Sequence, residues 1–281
     1  MSEGKEKLHV GIILVGNIGM SPLLAMIIDE RADRKDLNVT VISSGANLGK
    51  GDCLKTTKLM LEQNPDLILW SSPNAALPGP KEARDLIQQK GTPAIIISDA
   101  PSKKAKDEIA ERGMGYIIVP ADSMIGARRE FLDPTEMVIF NADLIKVLAL
   151  TGVIKLVVEA IEDVITALKK GETPVLPKII VKKENAVEAA NYLNPYAKSK
   201  ALDAHEIAKS VSSLNTEGCF KLRHRDEYMP VIAGAHEMMR LAATLADEAR
   251  ELEKGTGKVH RSPHYKDGHV MTKTGFIDKP E

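Results

Sequence analysis

The chain has 281 residues, of which 43% are hydrophobic and 27% are charged, a balance typical of a globular protein with a sizeable core. Its 38 Lys and Arg residues are matched by 39 Asp and Glu residues, and only 4% of its residues are aromatic. Because it has neither a basic excess nor many stacking side chains, we expect no nucleic acid and no membrane among its main partners.

The cysteines and the apolar segments favour a cytoplasmic protein. Cys53 and Cys219 lie far apart without a CxxC companion, which is typical of reduced thiols that serve as packing residues. The opening MSEGKEK lacks the apolar core of a signal peptide. The longest apolar stretch, Leu144–Val158, is interrupted by Lys146 and Lys155 and is too short and too polar to span a bilayer.

The first 120 residues alternate between short apolar runs and amphipathic segments. The apolar runs are Val10–Val15, Val39–Ser43, Leu67–Trp70, Ala94–Ser98 and Tyr116–Val119. The amphipathic segments between them are Leu23–Arg34, Lys55–Gln63, Glu82–Lys90 and Lys103–Arg112. This alternation predicts βαβ units, and therefore a parallel sheet with helices on both faces.

After Ala121 the sequence pattern changes and becomes mostly helical. Helical patterns are predicted from Pro134 to about Lys170 with a break at Gly152, over Pro195–Ser210, and over Pro230–Lys254. Strand-like runs are predicted at Lys178–Val181 and Gly218–Leu222, and the tail from Gly255 is rich in loops. We therefore predict a ligand-binding α/β domain over residues 1–121. A helix-bundle region with a small antiparallel sheet and a loop-rich tail is predicted over residues 122–281.

The loops that follow the predicted strands should face one crevice, because parallel strands end at the same edge of a sheet. The first loop contains Gly16, Asn17 and Ile18, and its G-x-x-G spacing lacks the third glycine of a dinucleotide fingerprint. No acidic residue follows the second strand to bind a ribose. The glycines either form a tight turn or approach a ligand other than a standard dinucleotide.

Three further loops carry candidate ligand-binding residues. The segment SSPNAALPGP, which contains Ser72 and Asn74, is stiffened by three prolines and suits the positioning of a ring. Asp99, which precedes Ala100, either caps the next helix or faces a cationic ligand. Arg128, after Ala127, either forms a surface pair with Glu130 or binds a phosphate or carboxylate.

The histidines give little support for a metal site or a catalytic triad. His260 and His264 have the i, i+4 spacing of a zinc pair, but Pro263 disfavours a regular helix there and no third ligand is evident. His236 lies within a predicted helix and is expected to be a packed or capping residue. No pattern of a catalytic serine or cysteine with histidine is present, so we expect chemistry that needs little from side chains.

A set of motifs distributed over nearly the whole chain resembles one protein family. The motifs are DERADR (Asp29–Arg34), PNAALPGP (Pro73–Pro80), DAP (Asp99–Pro101), GARREFLDP (Gly126–Pro134), NADLIKVLALTG (Asn141–Gly152), NPYA (Asn194–Ala197), EGCF (Glu217–Phe220) and AHEMMRLAATLADEARELEK (Ala235–Lys254). Together, in this order and at this spacing, they resemble the coenzyme F420-dependent methylenetetrahydromethanopterin dehydrogenases of methanogenic archaea and their relatives.

The resemblance implies a reversible hydride transfer between coenzyme F420, a 5-deazaflavin co-substrate, and the methenyl or methylene form of a tetrahydromethanopterin-type carrier. It also implies a role in archaeal one-carbon metabolism, a homohexamer, and no metal. Within this interpretation we expect the ligands to be bound by Gly16, Asn17, Ile18, Ser72, Asn74, Asp99, Ala100, Ala127, Arg128, His260, Arg261 and His264. Asp99 is the candidate for an electrostatic role in the reaction, and no side chain is expected to be essential through its own chemistry.

Two other functions remain open at the level of sequence. One is an NAD(P)-dependent oxidoreductase on a Rossmann-like sheet, which the incomplete glycine motif disfavours. The other is a non-catalytic module that binds a pterin or a deazaflavin without turnover.

Overall fold

In a computed structural model, which describes residues 7–281, the chain forms two compact units. The first contains the residues up to Val119 together with residues 157–180 and 262–271. The second contains Pro120–Leu156, Val181–Arg261 and Thr272–Glu281. The domain boundary between Ala121 and Asp122 stays a prediction. The two compact units differ from this predicted division, because residues 157–180 and 262–271 belong to the α/β unit.

The first unit is built on a six-stranded parallel sheet with the order β2-β1-β3-β4-β5-β6. Its strands are β1 Leu8–Leu14, β2 Leu37–Ser43, β3 Leu67–Ser72, β4 Ala94–Ser98, β5 Gly115–Ile118 and β6 Lys178–Ile180. Its helices up to β5 are α1 Leu24–Ile28, α2 Lys50–Glu62, α3 Pro78–Lys90 and α4 Lys106–Glu111, with 3-10 turns at Ser21–Leu23 and Ala100–Ala105.

Both faces of this sheet are buried, which explains why its central strands are continuous apolar runs. Ile13, Ile68 and Trp70 belong to one core cluster with residues of α2, α3 and α4. Their neighbours along the strands, Ile12 and Leu69, point to the opposite face and are also fully buried.

The second unit is mostly helical. Its elements are α5 Pro134–Leu150, the start of α6 (Val153–Lys169), α7 Lys183–Ala190, α8 Pro195–Thr216, a π-helical turn Glu217–Lys221, α9 Arg225–Lys254, β7 Lys258–Arg261 and β8 Lys273–Gly275. Helix α9 packs along α8 and α5, and β7 pairs antiparallel with β8. Buried alanines line α8 and α9, which lets the helix backbones approach closely; they are Ala197, Ala201, Ala204, Ala208, Ala235, Ala242, Ala246 and Ala249.

The predicted fold class is confirmed, although two strand assignments need correction. The predicted strand Gly218–Leu222 is wrong, because these residues lie mainly in the π-helical turn that follows α8. Gly218 packs so tightly that a Cβ there would lie 2.6 Å from Ile232 Cγ1, so contact with α9 overrides the local apolar pattern. The strand at Lys178–Ile180 joins the large parallel sheet as β6, and the small antiparallel sheet is built from the tail.

The helix predicted over Leu23–Arg34 is shorter than expected and ends at Ile28. The Arg34 guanidinium donates to the carbonyl oxygen of Ile28 at 3.0 Å. A side chain therefore satisfies the carbonyl where the helix stops, and the following residues form an irregular loop. Among the described helices, none combines the length and the apolar character needed to cross a membrane.

Gly152 separates α5 from α6 as predicted, and its backbone is left-handed with φ +87°. A Cβ at this position would overlap the carbonyl oxygen of Ala186. We therefore expect Gly152→Ala to lower the free energy of unfolding by about 3 kcal/mol or more, measured by urea denaturation, from backbone strain and steric overlap together.

Gly91→Ala is the matched control, since Gly91 has φ +74° but open space around its Cα. Only the backbone strain applies there, so we expect a loss of about 1–2 kcal/mol. Equal losses in the two variants would show that the Ala186 contact is not the constraint.

Candidate functional site

The strand order places a topological switch point between β1 and β3. The chain runs from β1 to β2 on one side of β1 and then returns to β3 on its other side. In open α/β sheets the crevice for a ligand lies at such a point, beyond the carboxyl ends of the two strands. The two loops concerned contain Gly16–Ile18 and Ser72–Asn74.

The loop after β1 lies directly against the loop after β3. Gly16 has φ +72°, and a Cβ there would lie 2.9 Å from Pro73 Cδ, so this turn needs glycine. The Ser21 hydroxyl accepts from the Ile18 N–H at 3.3 Å and shares a 3.0 Å hydrogen bond with the Ser71 hydroxyl. Gly16 and Ile18 are buried while Asn17 is exposed, so Asn17 is the residue that this turn presents outward.

Hydrogen bonds hold the main chain of the loop after β3, and its rigidity stays a prediction from its prolines. The Asn74 side chain accepts from the Ala76 N–H at 3.1 Å, and the Ala75 N–H donates to the Ser102 hydroxyl at 2.7 Å. The Arg84 side chain, which is fully buried, donates to the carbonyl oxygen of Ala75 at 2.7 Å. These contacts fix the main chain on both sides of Asn74.

Ser72 has an unusual environment within this loop. Its side chain is fully buried, and its hydroxyl has no hydrogen-bond partner among the residues that the structure describes. An unsatisfied buried hydroxyl is costly, and such groups in native proteins call for an explanation.

Asp99 follows β4, the strand paired with β3 through Ser72 and Ser98. Its carboxylate accepts from the Ala100 N–H and caps the 3-10 turn Ala100–Ala105, and its side chain is almost fully buried. The capping role is therefore confirmed. A carboxylate held at this edge also provides a fixed negative charge, and its action on a ligand stays a prediction.

Arg128, in the second unit, donates hydrogen bonds to main-chain carbonyl oxygens in and after the π-helical turn. Its Nε donates to Gly218 O at 3.0 Å and its Nη2 to Leu222 O at 2.8 Å, while its guanidinium stacks over the Tyr228 ring at 4.2 Å. The fork thus clamps the π-helical turn, a contact that the sequence alone did not predict. Ala127 beside it is exposed.

His236 is packed, as expected. Its ring lies 4.8 Å from the Phe131 ring and 4.5 Å from the Phe140 ring, and its Nδ1 lies 2.8 Å from Glu136 Oε1. Burial lowers the pKa of His236 despite the neighbouring carboxylate. The His236 side chain therefore contacts the first turn of α5 through Glu136.

The three tail residues have different surroundings. His260 lies on β7, with Nδ1 3.3 Å from the Asn191 amide nitrogen, and burial lowers its pKa. It lines a cavity of about 590 Å³ in the second unit with Thr272, Lys273, Thr274, Asp278, Lys279 and Glu281. Arg261 donates to Val259 O at 3.2 Å. His264, in the first unit, is buried between Glu30 and Glu162.

The structure therefore brings together Gly16, Asn17, Ile18, Ser72 and Asn74, and places Asp99 and Ala100 after the adjacent strand. Ala127, Arg128, His260 and Arg261 belong to the second unit. The ligand-binding role of each residue stays a prediction. Sequence reasoning missed the residues that position these loops, namely Ser21, Ser71, Arg84, Ser98 and Ser102. The serines have a weak signal in their position at strand and helix ends, whereas the buried Arg84 has none.

A parallel sheet of this order, with a close pair of loops at its switch point, defines the class of α/β proteins that bind nucleotide-like cofactors at the carboxyl edge. A family model described as methylene-5,6,7,8-tetrahydromethanopterin dehydrogenase matches residues 8–281. The chain belongs to this family.

Relatives agree with this assignment over nearly their whole length. The F420-dependent methylenetetrahydromethanopterin dehydrogenase of Archaeoglobus fulgidus is 53% identical over 97% of this chain and 98% of its own. That of Methanocaldococcus jannaschii is 50% identical over 97% and 99%. A solved structure of such a dehydrogenase, in complex with methylene-tetrahydromethanopterin and coenzyme F420, covers 98% of this chain and 100% of its own. It has a TM-score of 0.95 at 44% identity.

The Arg128 clamp generates a stability prediction. Arg128→Lys removes the planar fork and its stacking on Tyr228, so we expect it to lower the free energy of unfolding by about 2 kcal/mol. Urea denaturation measures the loss. The control is Arg129→Lys at the exposed neighbouring position, where we expect a change within about 0.5 kcal/mol. Equal free energies of unfolding for Arg128→Lys and Arg129→Lys would contradict a stabilising role of the Arg128 contacts.

Proposed function

We propose that this protein reversibly transfers a hydride between coenzyme F420 and the methenyl or methylene form of tetrahydromethanopterin. The observation that carries this proposal is the full-length match to a dehydrogenase structure solved in complex with both compounds. The family assignment, which extends over residues 8–281, supports the same activity.

The residues at the switch point suit a flat, polar-edged ring. Asn17 is the exposed polar side chain that the loop after β1 presents outward, where it can bind the polar edge of a ring. The loops on either side are held by hydrogen bonds and prolines, so a ring bound there meets walls that need little rearrangement. When bound in its reduced form, coenzyme F420 supplies the hydride.

The chain's own contribution is positioning, exclusion of water and charge. Hydride transfer needs donor and acceptor carbons about 3–3.5 Å apart, which favours rigid loops such as those around Gly16 and Asn74. Water hydrolyses a methenyl group, so the site must keep water away from it. Buried apolar residues of these loops, such as Ile18, suit that task. The carboxylate of Asp99 favours the cationic methenyl form over the neutral methylene form.

We further propose that residues 16–18, 72, 74, 99 and 100 bind the ring systems and that Ala127, Arg128, His260 and Arg261, together with His264 through its hold on the tail, complete ligand binding. The proposal includes a cytoplasmic location, a role in archaeal one-carbon metabolism, and a homohexamer. Exposed apolar side chains on α5 and α9 support assembly through the second unit; they are Met137, Val138, Ile139 and Leu241.

The activity is tested by mixing the purified protein, without oxygen, with reduced coenzyme F420 and methenyl-tetrahydromethanopterin, and following the absorbance of oxidised deazaflavin. Parallel samples contain NADH or NADPH as donor, or a methenyl-folate as acceptor. We expect turnover with the deazaflavin and the methanopterin carrier. Turnover with a nicotinamide donor alone would replace the proposal, and pterin binding without any turnover would indicate a binding module.

The charge on Asp99 is tested with Asp99→Asn, which keeps an oxygen that can accept from the Ala100 N–H. Because the carboxylate favours the cation, we expect kcat for oxidation of the methylene carrier to fall about tenfold and KM for the methenyl carrier to rise. The control is Asp107→Asn on α4, whose side chain is 80% exposed. Equal kinetics in the wild type and both variants would remove Asp99 from the site.

A further inference from the structure

Residues 262–271 of the tail belong to the first unit, while β7 before them and β8 after them belong to the second. Main-chain groups throughout this segment bind to the first unit. The His264 N–H donates to Glu30 Oε1 at 2.8 Å, and Arg31 donates to His264 O. Further along, the Lys35 N–H donates to Lys266 O at 2.7 Å and the Lys169 ammonium to Asp267 O at 2.5 Å.

Beneath this segment lies a network of charged side chains that we call the charge latch. It consists of Glu30, Arg31, Asp33, Arg34, Asp36, Glu162, Lys169 and His264. At its centre, Arg34 donates to both Asp36 oxygens at 3.0 and 2.8 Å and to both Glu162 oxygens at 2.5 and 3.2 Å. The tail backbone rests directly on this centre, because a Cβ at Gly268 would overlap Asp36 Oδ2.

His264 is the tail's own side chain in the charge latch and is only 1% exposed. Its Nδ1 lies 3.4 Å from Glu30 Oε2 and its Nε2 lies 3.4 Å from Glu162 Oε1. Both ring nitrogens therefore face carboxylate oxygens, which only accept hydrogen bonds. Both can donate only when the ring is an imidazolium.

The charge balance leads to the same conclusion. The charge latch holds four carboxylates, on Glu30, Asp33, Asp36 and Glu162, against three permanent cations, on Arg31, Arg34 and Lys169. The Asp29 carboxylate, which accepts from the Arg34 N–H, adds to this excess of negative charge. A protonated His264 offsets part of the excess, whereas a neutral ring leaves it in place next to buried groups, which is costly. The close contact with the Glu162 carboxylate and the charges of Glu162 and Glu30 raise the pKa of His264, against burial and Arg34.

We propose that His264 is a positioning residue whose imidazolium closes the charge latch and fixes residues 262–271 on the first unit. The proposal stands on these contacts within the first unit.

The proposal sets the direction of a pH dependence. The folded-state pKa of His264 lies above its unfolded value of 6.5, so the stabilisation is complete below that value and is lost as pH rises through the folded pKa. The tail should therefore be held firmly in mild acid and be released more often in mild alkali.

Trypsin cleavage after Lys266, followed by mass spectrometry, measures this release without any need for activity. We expect His264→Gln to be cut about tenfold faster than the wild type at about pH 6.5, since cleavage follows the population of the opened segment. The two rates should converge as the pH rises and the wild type loses the proton. The control is His269→Gln, an exposed histidine of the same segment, which should be cut like the wild type.

The double variant Glu30→Gln/His264→Gln separates charge from hydrogen bonding, because it removes one carboxylate together with the cation. It should be cut more slowly than His264→Gln alone. Failure of this rescue, or equal cutting of His264→Gln and His269→Gln at about pH 6.5, would overturn the proposal. If His264→Gln does not fold, the pH dependence of cutting in the wild type decides instead, since a flat profile relative to an unfolded substrate contradicts the latch.

Discussion

The parallel pairing of β1 with β3 is the constraint on which the candidate site depends. Ile13 pairs with Trp70 and Leu14 with Ser71, and the Val15 N–H extends the ladder to Ser71 O at 3.0 Å. Because both strands end at the same height, their loops must pass each other closely, and only a glycine at position 16 leaves room for Pro73. The close approach of these two loops at the switch point is therefore a consequence of strand order.

The proposed site is suited to holding ligands in place through its main chain. The hydroxyls of Ser98 and Ser102 lie 2.6 Å apart beneath the loops, and Ser102 fixes the main chain at Ala75. A reaction in which the cofactor supplies the hydride requires rings held in register and little water. Asp99 contributes the one fixed charge that the sequence singled out at this edge, and its cap on the following turn holds that charge in place.

Three arginine side chains stabilise irregular segments of the main chain. Arg84, Arg34 and Arg128 each donate to main-chain carbonyl oxygens where an irregular segment meets the core. A planar fork satisfies two acceptors with a single side chain, which suits loops that lack a regular ladder. In the charge latch, Arg34 binds Asp36 and also Glu162 on α6, which lies 128 positions after Arg34 in the chain.

The sequence by itself determined the fold class, most strands, the break at Gly152 and the family, because periodicity, glycine and proline act locally and the motifs extend over the whole chain. It also identified the loops that follow β1, β3 and β4. Only the tertiary structure decided the strand order, the pairing of the strand Lys178–Ile180 with β5 in the large sheet, and the π-helical turn in place of a strand at Gly218–Leu222. It alone also revealed that His264 is buried among carboxylates. These features arise from contacts between residues far apart in the chain, and their free energies outweigh the local preferences that a single sequence displays.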